Sequence, residues 1–77
     1  MKELVEYLAR SLVTRPDEVR VEERERGRQV FLTLSVSKED MGRIIGKQGR
    51  IVQSMRTLLR VAAEQEGKQV TLDILEP

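Results

Sequence analysis

Two glycines three positions apart, Gly46 and Gly49, constrain the fold of this chain more than any other feature of its sequence. They lie between a pair of isoleucines and a long amphipathic stretch. Because glycine has no Cβ atom, it reaches backbone angles that other residues avoid and lets the main chain approach another group closely. The spacing therefore predicts two helices joined by a sharp turn. The second helix would begin at Gly49, where its unpaired N–H groups and the positive end of its dipole favour an anion such as a phosphate.

A Gly-x-x-Gly tetrapeptide by itself is common in loops and identifies no function. Its charge context is more specific, because residues 41–63 contain five basic side chains and no acidic one, against nine basic and thirteen acidic side chains elsewhere. The five are Arg43, Lys47, Arg50, Arg56 and Arg60. The net charge of +1 therefore conceals a +5 segment, which favours a polyanionic partner. Lys47 and Arg50 adjoin the glycines and are the better candidates for anion contacts, whereas Arg56 and Arg60 fit the solvated face of a helix equally well.

The length of 77 residues predicts a single domain, residues 1–77, with a core near the lower limit of what folds unaided. The sequence contains no cysteine and no histidine, which removes disulfides, thiolate chemistry, the commonest metal ligand and the usual proton shuttle. We therefore expect no catalytic residues, no metal and no cofactor. No apolar stretch reaches the roughly 20 residues that cross a bilayer, and the amino terminus does not resemble a signal sequence. We expect a cytoplasmic protein without membrane insertion.

Hydrophobic periodicity predicts a helix followed by a hairpin in the first half of the chain. The segment Lys2–Val13 has apolar residues at helical spacing, and Pro16 disfavours helix in the residue before it. Glu18–Glu25 and Val30–Val36 alternate apolar and polar residues with a period of two, and the turn between them contains Gly27. The helix face is predicted to comprise Leu4, Val5, Leu8 and Leu12. Phe31 is out of phase with the apolar face of its strand, which predicts a partly exposed side chain.

The second half of the chain begins with a capping signal. Ser37 is a suitable N-cap, and Asp40 three residues later favours a helix start. We expect a short helix over Lys38–Ile45, a long helix over Gly49–Glu66 and a strand over Val70–Ile74. The inward stripe of the long helix is predicted to be Ile51, Met55, Leu58, Leu59 and Ala62. The order is then α-β-β-α-α-β, an α+β fold in which helices pack on one face of a three-stranded sheet.

The segment Gly42–Ile51, with Gly-Arg-Ile-Ile-Gly-Lys-Gln-Gly-Arg-Ile followed by a helix, resembles the signature of KH domains in their helix-first type II arrangement. With Met55–Leu58 and the opening Met1–Leu8, it is similar over essentially the whole chain to the small bacterial KhpA family of RNA-binding proteins. The resemblance implies a loop that clamps about four nucleotides of single-stranded RNA. The RNA-binding residues it implies are Arg43, Ile45, Gly46, Lys47, Gln48, Gly49, Arg50 and Ile51.

Roles within that set follow from the resemblance. The tetrapeptide would hold phosphates, with Gln48 able to hydrogen-bond sugar or base, and Ile45 and Ile51 would lie on the apolar floor beneath the bases. Aliphatic residues at such spacing also fit an ordinary core. Leu34 and Val36 of the neighbouring strand are weaker candidates for the same floor.

Other phosphate-binding and base-binding arrangements fit the sequence poorly. A P-loop requires Gly-x-x-x-x-Gly-Lys-Ser/Thr after a strand, and the dinucleotide fingerprint requires a glycine at position 44, which is Ile44. Base-stacking platforms depend on surface aromatics, and Tyr7 and Phe31 are the only aromatic residues here. Base recognition is expected to depend on hydrogen bonds and aliphatic contacts.

Two classes of function remain open. In the first, the resemblance implies an RNA chaperone or post-transcriptional regulator that acts with a KhpB-type KH protein and is linked to cell shape and envelope homeostasis. In the second, the fold serves mainly as a protein-interaction or dimerisation module, with incidental RNA binding. Both classes accommodate a homodimer or a heterodimer. Val52 and Val61 of the long helix and Phe31 are expected to lie outside the inward stripes and to be available for that contact.

Overall fold

The computed structural model describes residues 1–75, apart from the side chains of Lys47 and Gln48. The elements in chain order are α1 (Lys2–Leu12), a short 3-10 turn (Pro16–Glu18), β1 (Arg20–Arg26), β2 (Gln29–Ser35), α2 (Lys38–Gln65) and β3 (Gln69–Ile74). The predicted gap in α2 is absent, because the helical segment continues through the glycine tetrapeptide. Gly49 nevertheless has a φ of +69°, which lies outside the right-handed helical region. Gly49 thus divides α2 into two halves, and the predicted α-β-β-α-α-β order is confirmed.

The sheet has the strand order β1-β2-β3. β1 and β2 pair antiparallel from Arg20 opposite Ser35 to Arg26 opposite Gln29, which confirms the predicted hairpin. β2 and β3 pair parallel, with Leu34 aligned with Ile74 at one end. Parallel neighbours require a crossover connection, and α2 supplies it. β3 is therefore an edge strand that lies close to α2.

The core lies between one face of the sheet and the helices. β2 supplies its centre with Val30, Leu32 and Leu34, all at most 1% exposed. Burial of each such side chain contributes about 1.5–3 kcal/mol relative to exposure. Other core residues are Val5 and Ala9 of α1, Ile44, Val52, Met55 and Leu59 of α2, and Leu72 of β3. The opposite face of the sheet is open, and Phe31 is 39% exposed there, as its phase predicts. Among residues 1–75, no helix is both long and apolar enough to span a membrane.

The inward faces of the helices differ in part from the prediction. Val52 is a core residue, so its expected place outside the inward stripe was wrong, whereas Leu58 is 50% exposed. Apolar residues occur in adjacent pairs along α2, so two neighbouring stripes have nearly the same periodicity, and packing against the sheet selects the one containing Val52. In α1 the buried residues are Val5 and Ala9, and Leu12 is exposed.

A buried carboxylate fixes the start of α2. Ser37 caps the helix by accepting from the Asp40 N–H at 3.2 Å, which confirms the capping signal. Asp40 also accepts from the Thr14 N–H at 2.9 Å, the Thr14 hydroxyl at 3.0 Å, the Arg15 N–H at 3.1 Å and the Ser37 hydroxyl at 2.8 Å. Chiefly the bond from the Thr14 N–H lowers the pKa of Asp40 from 3.8 to about 2, against the opposing effect of burial. Asp40 thereby joins the α1–β1 connection to α2.

Candidate nucleic-acid interface

The two glycines of the tetrapeptide have different backbone requirements. Gly49 has a positive φ of +69°, a conformation that favours glycine, whereas Gly46 does not. A Cβ atom added at either position would have no other described atom within 4 Å beyond the adjacent helix backbone. Packing within the protein therefore does not require glycine at Gly46, and glycine inside a helix costs about 1 kcal/mol relative to alanine. The open space at this turn remains available to a ligand.

A groove begins at this turn and runs between the second half of α2 and the edge strand β3. Its volume is about 430 Å³. The residues that line this loop groove are Ile45, Gly49, Val52, Gln53, Arg56, Asp73 and Ile74. Ile45 is 40% exposed, so it provides an apolar surface next to Gly49. The groove thus joins aliphatic contacts with polar groups immediately beside a turn that is open to phosphate.

The free edge of β3 faces this groove. The main-chain N–H of Gln69 donates to the carbonyl of Arg28, just before β2, and that of Leu75 donates to the carbonyl of Leu34 in β2, both at 2.8 Å. Because main-chain groups alternate in direction along a strand, those of Leu72 and Ile74 point away from β2. Arg56 donates from Nε at 3.2 Å and from Nη2 at 2.9 Å to the carbonyl of Leu72. Arg56 is thus fixed against the strand edge, and the main-chain groups of Ile74 lie beside the turn.

The structure brings only part of the predicted set into the loop groove. Ile45 and Gly49 line it. Gly46 is not a lining residue, although it directly follows Ile45 in the chain. Arg43 is exposed on the first half of α2. The side chains of Lys47 and Gln48 lie outside the described residues. Leu34 and Val36, considered above as floor residues, are buried in the core instead.

Arg50 and Ile51 lie on a different face of α2 from Ile45. They line a second apolar groove, of about 280 Å³, between α1 and α2. The residues of this α1–α2 groove are Leu8, Leu12, Arg50, Ile51, Ser54, Met55 and Leu58. Ile51 is also half-buried against the core. Ile45 and Ile51 therefore line different grooves in the structure, and their shared role as a floor beneath the bases stays a prediction.

Several residues of the loop groove were not predicted from the sequence. Gln53 and Arg56 follow Gly49 by four and seven positions, so the helical period starting from the second glycine indicates them. Asp73 and Ile74 have no comparable signal. Their position depends on the parallel pairing of β3 with β2, which local periodicity does not specify.

Comparison with known proteins is consistent with this geometry. Residues 2–74 match the family model described as KhpA/KhpB, KH domain. The RNA-binding protein KhpA of Clostridium perfringens is 49% identical over 75 residues, covering 97% of this chain and all of that protein. The RNA-binding protein KhpA of Halalkalibacterium halodurans is 45% identical over 76 residues, covering 99% of this chain and 100% of that protein.

Two solved structures share the fold. Era of Aquifex aeolicus has a TM-score of 0.67 at 21% identity, over 97% of this chain and 29% of that chain. A complex of Era with a segment of 16S ribosomal RNA has a TM-score of 0.66 at 21% identity, over 95% of this chain and 28% of that chain. This chain thus corresponds in fold to under a third of Era. By its match over nearly its whole length, the chain belongs to the KhpA/KhpB family of KH-domain proteins.

Proposed function

We propose that this protein binds single-stranded RNA, with the turn Gly46–Gly49 against the phosphates and the loop groove against the bases. The observation that carries the proposal is the open space at Gly46, where neither backbone angle nor packing requires a glycine. Family membership adds support, since relatives that match over the whole chain are named RNA-binding proteins. A KH loop clamps about four nucleotides, which is consistent with a small groove beside a single turn.

The chemistry of the groove accounts for how a single strand is held. The positive charges of Arg43, Lys47 and Arg50 around the turn attract phosphates. Ile45 offers an aliphatic contact to a base. The side chain of Gln53 and the outward main-chain groups of Ile74 offer hydrogen bonds to base edges. With one aliphatic contact and few polar groups, the site favours modest affinity and broad sequence tolerance.

The test replaces Lys47 and Gln48 with aspartate and measures affinity for a dye-labelled, randomised tetranucleotide RNA pool. Two carboxylates beside the phosphates are expected to abolish binding and to leave the far-UV circular dichroism melting curve almost unchanged. The matched control replaces Arg28 and Gln29 with aspartate, an identical change of −3 in net charge at the opposite end of the sheet. Equal losses in the two variants would show that the effect comes from net charge, and unchanged affinity in the first would disprove the role of the loop.

In the cell, we propose that the protein acts in the cytoplasm as an RNA chaperone or post-transcriptional regulator. We also propose that it acts with a KhpB-type partner and is linked to cell shape and envelope homeostasis. Membership of the KhpA/KhpB family, with relatives named RNA-binding proteins, supports the RNA-binding part of this proposal. Crosslinking in cells, followed by sequencing of the attached RNA, identifies the targets. Recovery of no RNA above that of a variant with aspartates at Lys47 and Gln48 would contradict this cellular role.

A second candidate function is a dimerisation module. The observation that favours it is the exposed apolar surface on the second half of α2, where Leu58 is 50% and Val61 is 52% exposed. Leu12, on the neighbouring α1, is 40% exposed. A self-complementary contact between two copies would bury these side chains and place two loops in one particle, which raises avidity for a longer RNA. Sedimentation equilibrium of the wild-type protein and of Val61→Arg tests this. A dimer mass is expected for the wild type and a monomer mass for the variant, and a monomeric wild type at about 100 μM would refute a homodimer of micromolar Kd.

A further inference from the structure

A second groove continues the loop groove along the edge of β3. Its volume is about 210 Å³. The residues that line this edge groove are Arg56, Arg60, Val70, Thr71, Leu72 and Asp73. Arg56 and Asp73 line both grooves, so the two form one track from the glycine turn toward the start of β3. At 1.5 Å per residue, the helix from Gly49 to Arg60 gives the whole track a length of about 16 Å.

The two arginines of this track are in different situations. Arg56 donates two hydrogen bonds to the Leu72 carbonyl and is half-buried. Arg60 lies one helical turn further, about 6 Å along the axis, on the same face of α2. The Arg60 guanidinium forms no ion pair and no hydrogen bond with the described part of the chain, residues 1–75 without the side chains of Lys47 and Gln48. The side chain of Arg60 is exposed. Arg56 thus supports the strand edge, whereas Arg60 presents a planar cation to solvent.

Charge differs between the two walls of the track. The α2 wall carries Arg56 and Arg60, and the β3 wall carries the carboxylate of Asp73 and the polar Thr71. A phosphate is attracted to the first wall and repelled from the second. A strand in this track would therefore place its phosphates along α2 and its bases along the free edge of β3, where the main chain offers hydrogen-bonding groups.

We propose that bound single-stranded RNA extends beyond the turn along this track, and that Arg60 binds a phosphate outside the four nucleotides held by the loop. The inference rests on the proposed RNA-binding function. A guanidinium suits a phosphate because its planar N–H donors can pair with two oxygens. The binding site is then longer than the loop alone, and the affinity depends on RNA length.

The experiment compares Arg60→Gln with the wild type on two RNA probes, a randomised tetranucleotide pool and a randomised octanucleotide pool. Affinities are measured between about 50 and 200 mM salt. One phosphate contact on a single strand contributes about 0.7 to the slope of log affinity against log salt. The slope of Arg60→Gln is expected to be smaller by about 0.7 on the octanucleotide and unchanged on the tetranucleotide. Arg10→Gln, with the same charge change at an exposed site on α1, serves as the control and is expected to leave both slopes unchanged.

The outcomes separate this inference from the function on which it rests. If the tetranucleotide binds the wild type and depends on the turn, but Arg60→Gln and Arg10→Gln behave alike on the octanucleotide, the extended track is refuted and the loop site stands. An equal effect of Arg60→Gln on both pools refutes the track too, since it shows diffuse attraction. If neither pool binds the wild type, the proposed function fails and the track fails with it.

Discussion

Alanine at the two glycines of the turn is expected to change stability in opposite directions. Gly49 has a φ of +69°, and an L-residue in the left-handed region costs about 1–2 kcal/mol. Gly46 lies within helical α2 without a positive φ, and Gly→Ala at a compatible position stabilises by about 0.4–1 kcal/mol. The added methyl groups have no described contact within 4 Å, so packing changes neither value. Each kcal/mol shifts the Tm of a domain of this size by about 4–8 °C.

Circular dichroism at 222 nm measures both variants, since the chain has no tryptophan to report unfolding by fluorescence. Gly49→Ala is expected to melt below the wild type and Gly46→Ala above it. Both are expected to bind the tetranucleotide pool more weakly, because each methyl group enters the space through which a phosphate approaches. Two shifts of Tm in one direction would refute the conformational account of the turn. A stabilised Gly46→Ala with unchanged affinity would refute the argument that ligand approach requires this glycine.

Two further predictions concern the framework that holds the turn. Asp40→Asn is expected to destabilise the fold at neutral pH, and its difference from the wild type in the free energy of urea unfolding is expected to shrink as the pH falls from about 4 to about 2. The reason is that the pKa of Asp40 is lowered in the folded state, so the stability it contributes is present above the unfolded pKa and is lost as the carboxylate protonates. A difference that does not depend on pH would contradict this account. Leu59→Ala, at a fully buried position, is expected to lower the free energy of urea unfolding by about 2–5 kcal/mol. The control Leu58→Ala, at a half-exposed position, is expected to lower it clearly less, and equal losses would contradict the burial of only Leu59.

Local patterns in the sequence predicted most of the elements, because each has its own physical signal. The period of two in β1 and β2 and the turn at Gly27 predicted the hairpin. Ser37 and Asp40 predicted the start of α2. What the capping signal could not show is that Asp40 also binds the α1–β1 connection, since those hydrogen bonds join residues 25 and 26 positions apart.

The face of α2 could not be predicted from periodicity alone. Ile51 and Val52, like Leu58 and Leu59, are adjacent apolar residues, so two stripes about 100° apart are equally apolar. The positive φ of Gly49 sets the orientation of the second half relative to the first, and contact with the sheet decides between the stripes. Because the positive φ of Gly49 is not apparent from periodicity, sequence analysis alone predicted that Ile51 and Ile45 share one groove floor.

The β3 side of the loop groove could not be predicted from local sequence patterns, because its position depends on the topology of the sheet. Asp73 and Ile74 reach the loop groove because β3 pairs parallel with β2 and forms an edge. The glycine turn itself was apparent from the sequence. The edge strand that completes the groove was not, because strand order is a property of the assembled sheet.

Amide chemical-shift mapping during titration with single-stranded RNA tests the central claim most directly. The largest changes are expected at Gly46, Gly49, Gln53 and Ile74, where the turn and the loop groove meet. A duplex RNA at equal nucleotide concentration is expected to produce smaller changes there, since its paired bases cannot be splayed out into the groove. Changes concentrated on the open sheet face around Phe31, or equal changes with duplex, would contradict binding of a single strand at the glycine turn.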